Sequence, residues 1–84
     1  MALKDWKRDN YFTLPYYEKR VRGYKYAKYT IQFFGSHYIN KKYYKWAVRI
    51  IIYDKEGNEK KMIEKGFGLM YYAEEFAKAY MRKH

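Results

Sequence analysis

The stretch Tyr44 to Phe67, YKWAVRIIIYDKEGNEKKMIEKGF, decides how the rest of the chain must fold. Trp46, Val48, Ile50 and Ile52 alternate with Lys45, Ala47, Arg49, Ile51 and Tyr53. Side chains alternate between the two sides of a strand, so one face is apolar and the other carries charge. Asp54-Lys55-Glu56-Gly57-Asn58 interrupts the alternation with hairpin-loop residues. Gly57 takes a positive φ without steric cost, and Asn58 tolerates one. Polar Glu59, Lys60 and Lys61 then lead into Met62, Ile63 and Phe67 on a second strand.

An apolar sheet face needs a cover, and the chain downstream supplies one. After Gly66-Phe67-Gly68, the residues Leu69, Tyr72, Ala73, Phe76, Ala77, Tyr80 and Met81 recur at three- and four-residue intervals, which marks one face of a helix. Glu74 and Glu75 lie early in this helix and Arg82, Lys83 and His84 at its end, as the helix dipole favours. No Ser, Thr, Asp or Asn stands at its start, so Gly68 is the expected cap.

Upstream, Tyr24 to Phe34, YKYAKYTIQFF, reads as a further strand of residues suited to a half-buried pleated surface. Tyr29, Ile31 and Phe33 face inward; Tyr24, Tyr26, Lys28, Thr30 and Gln32 face out. Gly35-Ser36 ends it. His37 to Tyr43, HYINKKY, is then a loop: an ordinary hairpin connection, or a phosphate clamp through Lys41 and Lys42. Tyr16 to Gly23, YYEKRVRG, holds the densest positive cluster, Lys19, Arg20 and Arg22, on either a phosphate-binding arm or a solvated linker. Met1 to Pro15 has no sustained period. Trp6, Tyr11, Phe12 and Leu14 are scattered among Lys4, Asp5, Lys7, Arg8 and Asp9, and Pro15 disfavours helix just before it.

The expected architecture is therefore α+β: a three-stranded antiparallel sheet packed on one C-terminal helix over residues 24–84, with an N-terminal basic and aromatic arm over residues 1–23. The helix covers Trp46, Val48, Ile50, Ile31 and Phe33, with Ile63 and Phe67. The opposite face stays open and presents Lys28, Thr30, Gln32, Lys45, Arg49, Tyr53 and Lys60.

Eighty-four residues make one small domain, and a chain this short needs a dense core. An aromatic fraction of 24% answers that need, yet thirteen tyrosines exceed what one core can hold, so several lie at the surface. The net charge of +10 is uneven: residues 1–49 hold twelve Lys or Arg against three Asp or Glu, and residues 50–84 hold seven against six. A field concentrated in this way favours a polyanionic partner. The absence of cysteine excludes disulfides and thiolate metal sites and fits a reducing compartment. No secretory or membrane-spanning run is present, so a cytoplasmic location is expected.

Residues 44–81 resemble the arm-type DNA-binding domain at the N-terminus of phage and transposon tyrosine integrases. The pieces are Trp46-x-Val48-x-Ile50, Asp54-x-x-Gly57, basic residues through Lys61, Lys65-Gly66-Phe67, and Ala73-Glu74-x-Phe76. The resemblance implies a three-stranded sheet backed by a helix, with the sheet entering the DNA major groove. By position it makes Lys45, Arg49, Tyr53 and Lys60 groove-facing. The chain departs from that family in having Leu69-Met70 where a threonine usually precedes the helix, and in its long first strand. It carries no catalytic domain, so it is an excised domain or a free-standing protein.

Catalysis finds little support. Ser36 and His37 are neighbours in an expected loop without an orienting acid. His37 and His84 are too far apart in sequence to form a metal site with nearby carboxylates that pair with lysines. Gly66-x-Gly68 lacks the lysine and glycine pattern of a phosphate loop. Glu74 and Glu75 project about 100° apart on a helix. No enzyme activity, cofactor or metal is expected. The leading expectation is a double-stranded DNA-binding module acting through the open sheet face and basic arm, with Thr30, Gln32 and Arg49 reaching bases. The alternatives are a small mobile-element protein that inhibits a host nuclease or nucleoprotein, in the manner of anti-CRISPR proteins, and a single-stranded DNA or RNA binder using Tyr24, Tyr26 and Tyr53.

Overall fold

The computed structural model describes residues 5–11 and 14–84. Five strands follow one another: β1 (Lys7–Tyr11), β2 (Leu14–Lys19), β3 (Tyr29–Ile39), β4 (Lys42–Tyr53) and β5 (Glu59–Phe67). They form one antiparallel sheet in sequence order, and α1 (Met70–Lys83) closes the chain. The α+β class stands, but the three-stranded sheet with an arm is corrected to five strands. The segment expected as an arm supplies β1 and β2, which pair from Lys7↔Glu18 to Tyr11↔Leu14. Of its residues, 1–4, 12 and 13 lie outside the described ones, Lys4 and Phe12 among them.

These two strands escaped the pattern because ladder hydrogen bonds and a few rings hold them, not an alternating apolar face. Tyr17 packs 6.4 Å from Phe33, and Trp6 is buried at 5.7 Å from Tyr29. The indole N–H of Trp6 has no partner among the described residues. Pro15 lies outside the β2–β3 ladder, which begins at Tyr16↔Gln32, so its missing N–H leaves that ladder intact.

The central hairpin follows the sequence reading. β4 and β5 flank a loop at 54–58, where Gly57 takes a φ of 97°. Asp54 organises this loop: its carboxylate accepts the backbone N–H groups of Asn58 at 2.9 Å and Glu56 at 3.0 Å.

The first strand of the expected sheet is displaced. β3 runs from 29 to 39, not 24 to 34, and the expected loop at 37–43 is mostly strand. Its turn is only Asn40-Lys41, with φ of 51° and 69°. Both values are left-handed, as a two-residue type I′ hairpin requires. Asn advertises such a turn; Lys does not. Ser36 also has a positive φ of 53°, and beyond it the side chains change sides. His37 consequently meets Glu64 and Phe34, which belong to the face away from the helix.

The core lies between the sheet and α1. Ile31, Val48 and Ile50 are fully buried, Phe33 nearly so, against Ala73, Ala77 and Met81. The two alanines let the helix backbone approach the sheet closely. Phe67 meets Phe76 at 5.5 Å midway along α1, and Tyr29 meets Tyr80 at 6.1 Å near its end. The helix therefore crosses from β5 toward β3. Two members of the expected stripe do not join it: Leu69 is 58% and Tyr72 55% exposed. The cap is Leu69, not Gly68, with extended backbone and no side-chain hydrogen bond.

Candidate nucleic-acid interface

Strand register lays out the sheet face away from the helix in rows. One row runs Lys7, Glu18, Thr30, Ile51 and Met62; the next runs Asp9, Tyr16, Gln32, Arg49 and Glu64; the third runs Phe34, Ala47 and Gly66. Lys7 and Arg49 thus share this face with Asp9, Glu18 and Glu64, so its centre is not a cationic surface.

Arg49 is paired there. Its Nε donates to Glu64 Oε2 at 2.9 Å, its Nη2 lies 2.7 Å from the same oxygen, and its guanidinium sits 4.6 Å from the centre of the Phe34 ring. His37 Nε2 reaches that carboxylate oxygen at 3.1 Å, and the imidazole stacks on Phe34 at 5.1 Å. Burial pushes the Glu64 carboxyl up, but the hydrogen bonds and charges of Arg49 and His37 outweigh it and hold the group below its ordinary value. Thr30 is buried and donates to the Tyr53 hydroxyl at 3.5 Å. Tyr16 is raised by burial and then by the charge of Glu18.

Of the expected open-face residues, Thr30, Gln32, Arg49 and Tyr53 do lie together. The lysines do not join them. Lys28 precedes the first residue of β3, Lys60 falls at the bulge where Tyr53 pairs Glu59 and Ile52 pairs Lys61, and Lys45 lies where alternation breaks opposite Ser36.

Positive charge collects at the two ends of the β3–β4 hairpin. At one end, residues 20–28 lie against the 54–58 turn. Lys25 N–H donates to Lys55 O at 2.9 Å, Lys28 N–H to Lys19 O at 2.9 Å, and Tyr53 N–H to Lys28 O at 2.8 Å. The Tyr26 ring covers Gly57, where a Cβ would stand 2.4 Å from a ring carbon. This packing brings the segment that carries Arg20, Arg22, Lys25 and Lys28 to the turn that carries Asp54, Lys55 and Glu56. Two of the expected phosphate contacts have partners within the chain: Arg20 Nε lies 3.2 Å from Glu18, and Lys19 Nζ donates to a main-chain oxygen of His84. Lys28 Nζ lies 5.3 Å from the Tyr29 ring centre and 5.4 Å from that of Tyr24, and the Tyr29 phenol is the main cause of its raised pKa.

At the other end the hairpin outruns its neighbours. β2 pairs β3 only over 29–32, and β5 pairs β4 only from Trp46 onward. Residues 35–39 and 42–45 therefore project as a two-stranded ribbon. Lys41, Lys42 and Lys45 are exposed on it, and it has no acidic residue. One side of the ribbon is anchored: the Tyr44 ring lies over Gly66, and Lys42 Nζ lies 5.5 Å from that ring's centre. The other side presents Tyr38 and Tyr43, 66% and 51% exposed, edge to face at 5.4 Å, with Tyr43 donating to Ser36 Oγ at 3.2 Å. Ten residue steps along β3 separate the two ends by about 30 Å.

Sequence reasoning missed Lys25, Lys55, Tyr38 and Tyr43. A signal for the first was present: residues 19–53 contain nine Lys or Arg and no Asp or Glu. The expectation that Ser36 and His37 have no acid beside them is corrected: His37 Nε2 meets Glu64 Oε2 at 3.1 Å, while Ser36 Oγ accepts from the Tyr43 hydroxyl at 3.2 Å. Among the described residues, no group of His, Asp and Glu is arranged to hold a metal ion, and no helix is long and apolar enough to cross a membrane. No family model, curated protein or solved structure matches this chain.

Proposed function

We propose that this chain is a non-catalytic nucleic-acid-binding module whose partner is DNA, held electrostatically by its acid-free segment. One observation carries this reading: nine cations and no anion occupy residues 19–53, and apart from Arg49 they lie at or beside the two ends of the β3–β4 hairpin. Of these, Lys41, Lys42 and Lys45 lie on a ribbon that carries no carboxylate, and such cations displace the counterions of a phosphate backbone, which drives association. Stacking of exposed rings adds to it. The test is fluorescence anisotropy of labelled duplex and single-stranded DNA across a salt series. Submicromolar binding at low salt, falling steeply as salt rises, is the expected result. Absence of binding to either form at low salt rejects the proposal.

A second reading, contact with a protein such as a host nuclease or nucleoprotein, is favoured by a different observation. Leu69, Tyr71 and Tyr72 are all exposed at the start of α1, with the two rings edge to face at 5.5 Å. Tyrosine is enriched at protein interfaces. A defined host protein that binds this chain after nuclease treatment, and loses binding with Tyr71→Ser and Tyr72→Ser, supports that reading over the first.

A further inference from the structure

We infer that the projecting β3–β4 ribbon is the element that enters the major groove of double-stranded DNA; this rests on the nucleic-acid reading above and names the surface and the form of the partner. The first argument is shape. The B-form major groove, about 12 Å wide and about 8.5 Å deep, admits a two-stranded ribbon. Residues 35–39 and 42–45 form such a ribbon, and among the described residues neither of its edges pairs with another strand, because β2 stops pairing at Gln32 and β5 starts at Trp46. Five extended residues reach about 16 Å, enough to span the groove depth.

The second argument is charge. Lys41 at the turn and Lys42 and Lys45 on the strand are exposed, and the ribbon carries no carboxylate. The phosphates that line both walls of the groove are met by cations alone. Elsewhere acids are interspersed: Asp54 and Glu56 at the opposite end, and Asp9, Glu18 and Glu64 on the sheet face.

Third, the tip carries groups that read base edges. Asn40 stands at its apex, and an asparagine amide matches the adenine N6 and N7 pair in this groove. Tyr38 and Tyr43 offer exposed rings beside it. Finally, the ribbon is held in place before binding. Tyr44 rests on Gly66, and His37 is fixed between Phe34 and Glu64. Little ordering is then lost on contact.

This geometry has a directional consequence. With the tip in the groove, the 20–28 loop lies about 30 Å farther from the DNA axis, where its charges are largely screened. A-form RNA, whose major groove is deep and narrow, does not accept the ribbon.

The test combines binding and footprinting on a 20-base-pair DNA duplex, its single strands and an RNA duplex of the same sequence. Dimethyl sulfate methylates guanine N7 in the major groove and adenine N3 in the minor groove. Bound wild-type protein should protect guanine N7 and leave adenine N3 reactive. The pair Lys41→Gly and Lys42→Gln, with folding checked by circular dichroism, should weaken duplex binding tenfold or more. Its log–log salt slope should flatten by about 2. The pair Arg22→Ala and Lys25→Ala should weaken binding less and keep the N7 protection. Adenine N3 protection without N7 protection overturns the ribbon assignment. Unchanged affinity of the ribbon pair, or single strands or RNA duplex bound as tightly as DNA duplex, overturns it equally. In those cases the nucleic-acid reading survives; failure of wild-type protein to bind any of the three removes both.

Discussion

Gly66→Ala isolates the contact that sets the ribbon. A Cβ at this position would stand 2.1, 2.3 and 2.4 Å from three carbons of the Tyr44 ring. Carbon atoms rest at about 3.5–4.0 Å, so the ring must retreat by more than 1 Å. These carbons sit at the root of the ring, beside its own Cβ, so a small swing of the hydroxyl end does not relieve them. Either χ1 changes and the ring leaves, or β4 and β5 separate. Overpacking of this kind costs about 1–3 kcal/mol. For a domain of this size, each kcal/mol shifts Tm by about 4–8 °C. Urea unfolding of wild type, Gly66→Ala, Tyr44→Ala and the double variant measures the effect directly. In the Tyr44→Ala background the obstacle is gone, and alanine is itself preferred over glycine in a strand by about 0.5–1 kcal/mol. Gly66→Ala should then be neutral or mildly stabilising, giving a coupling of about 2 kcal/mol. An equal cost in both backgrounds would refute the claim that the ring on Gly66 fixes the ribbon. Duplex affinity should fall with Gly66→Ala, although residue 66 carries no charge.

Three further outcomes are expected. Trp6→Ala should destabilise by about 3 kcal/mol in urea, since it empties a buried site that ties the N-terminal hairpin to Tyr29; a wild-type midpoint would mean that this contact does not hold the hairpin to the core. Lys41→Gly should stabilise by about 0.5–1 kcal/mol, because a left-handed lysine costs about 1–2 kcal/mol and glycine's extra chain entropy offsets part of that. A lower Tm for this variant would mean that the turn is not strained. Acid should lower stability through two carboxyls with depressed folded pKa values. Asp54 is lowered chiefly by the Asn58 N–H, while burial opposes Arg49 and His37 at Glu64. Such groups stabilise above their unfolded pKa of about 4, and the contribution disappears as pH falls through the lower folded values. The urea midpoint should hold from pH 7 to 5 and drop below about pH 4, with a smaller drop in Asp54→Asn; an identical acid limb in that variant contradicts the role given to Asp54.

The sequence by itself determined the central hairpin, the helix and the face on which they meet. Trp46 to Ile52 alternate, Gly57 marks the turn, and Ala73, Ala77 and Met81 recur at helical spacing, so each local period carries its own burial instruction. It also determined the excess of positive charge in the first half of the chain. It did not reveal β1 and β2, because strands such as KRDNY have no periodic apolar face and exist through hydrogen bonds to partners. Nor did it reveal the ribbon. Gly35-Ser36 reads as a stop, and Lys41 gives no sign of a left-handed turn; both conformations are imposed by pairing across β3 and β4. The placement of the charge was decided at that level too. Register sets Arg49 beside Glu64 and removes it from the exposed cations, while the shorter reach of β2 and β5 leaves Lys41, Lys42 and Lys45 projecting. Periodicity reports which side of an element is buried, but only the pairing of distant strands fixes which charges neutralise each other and which remain exposed.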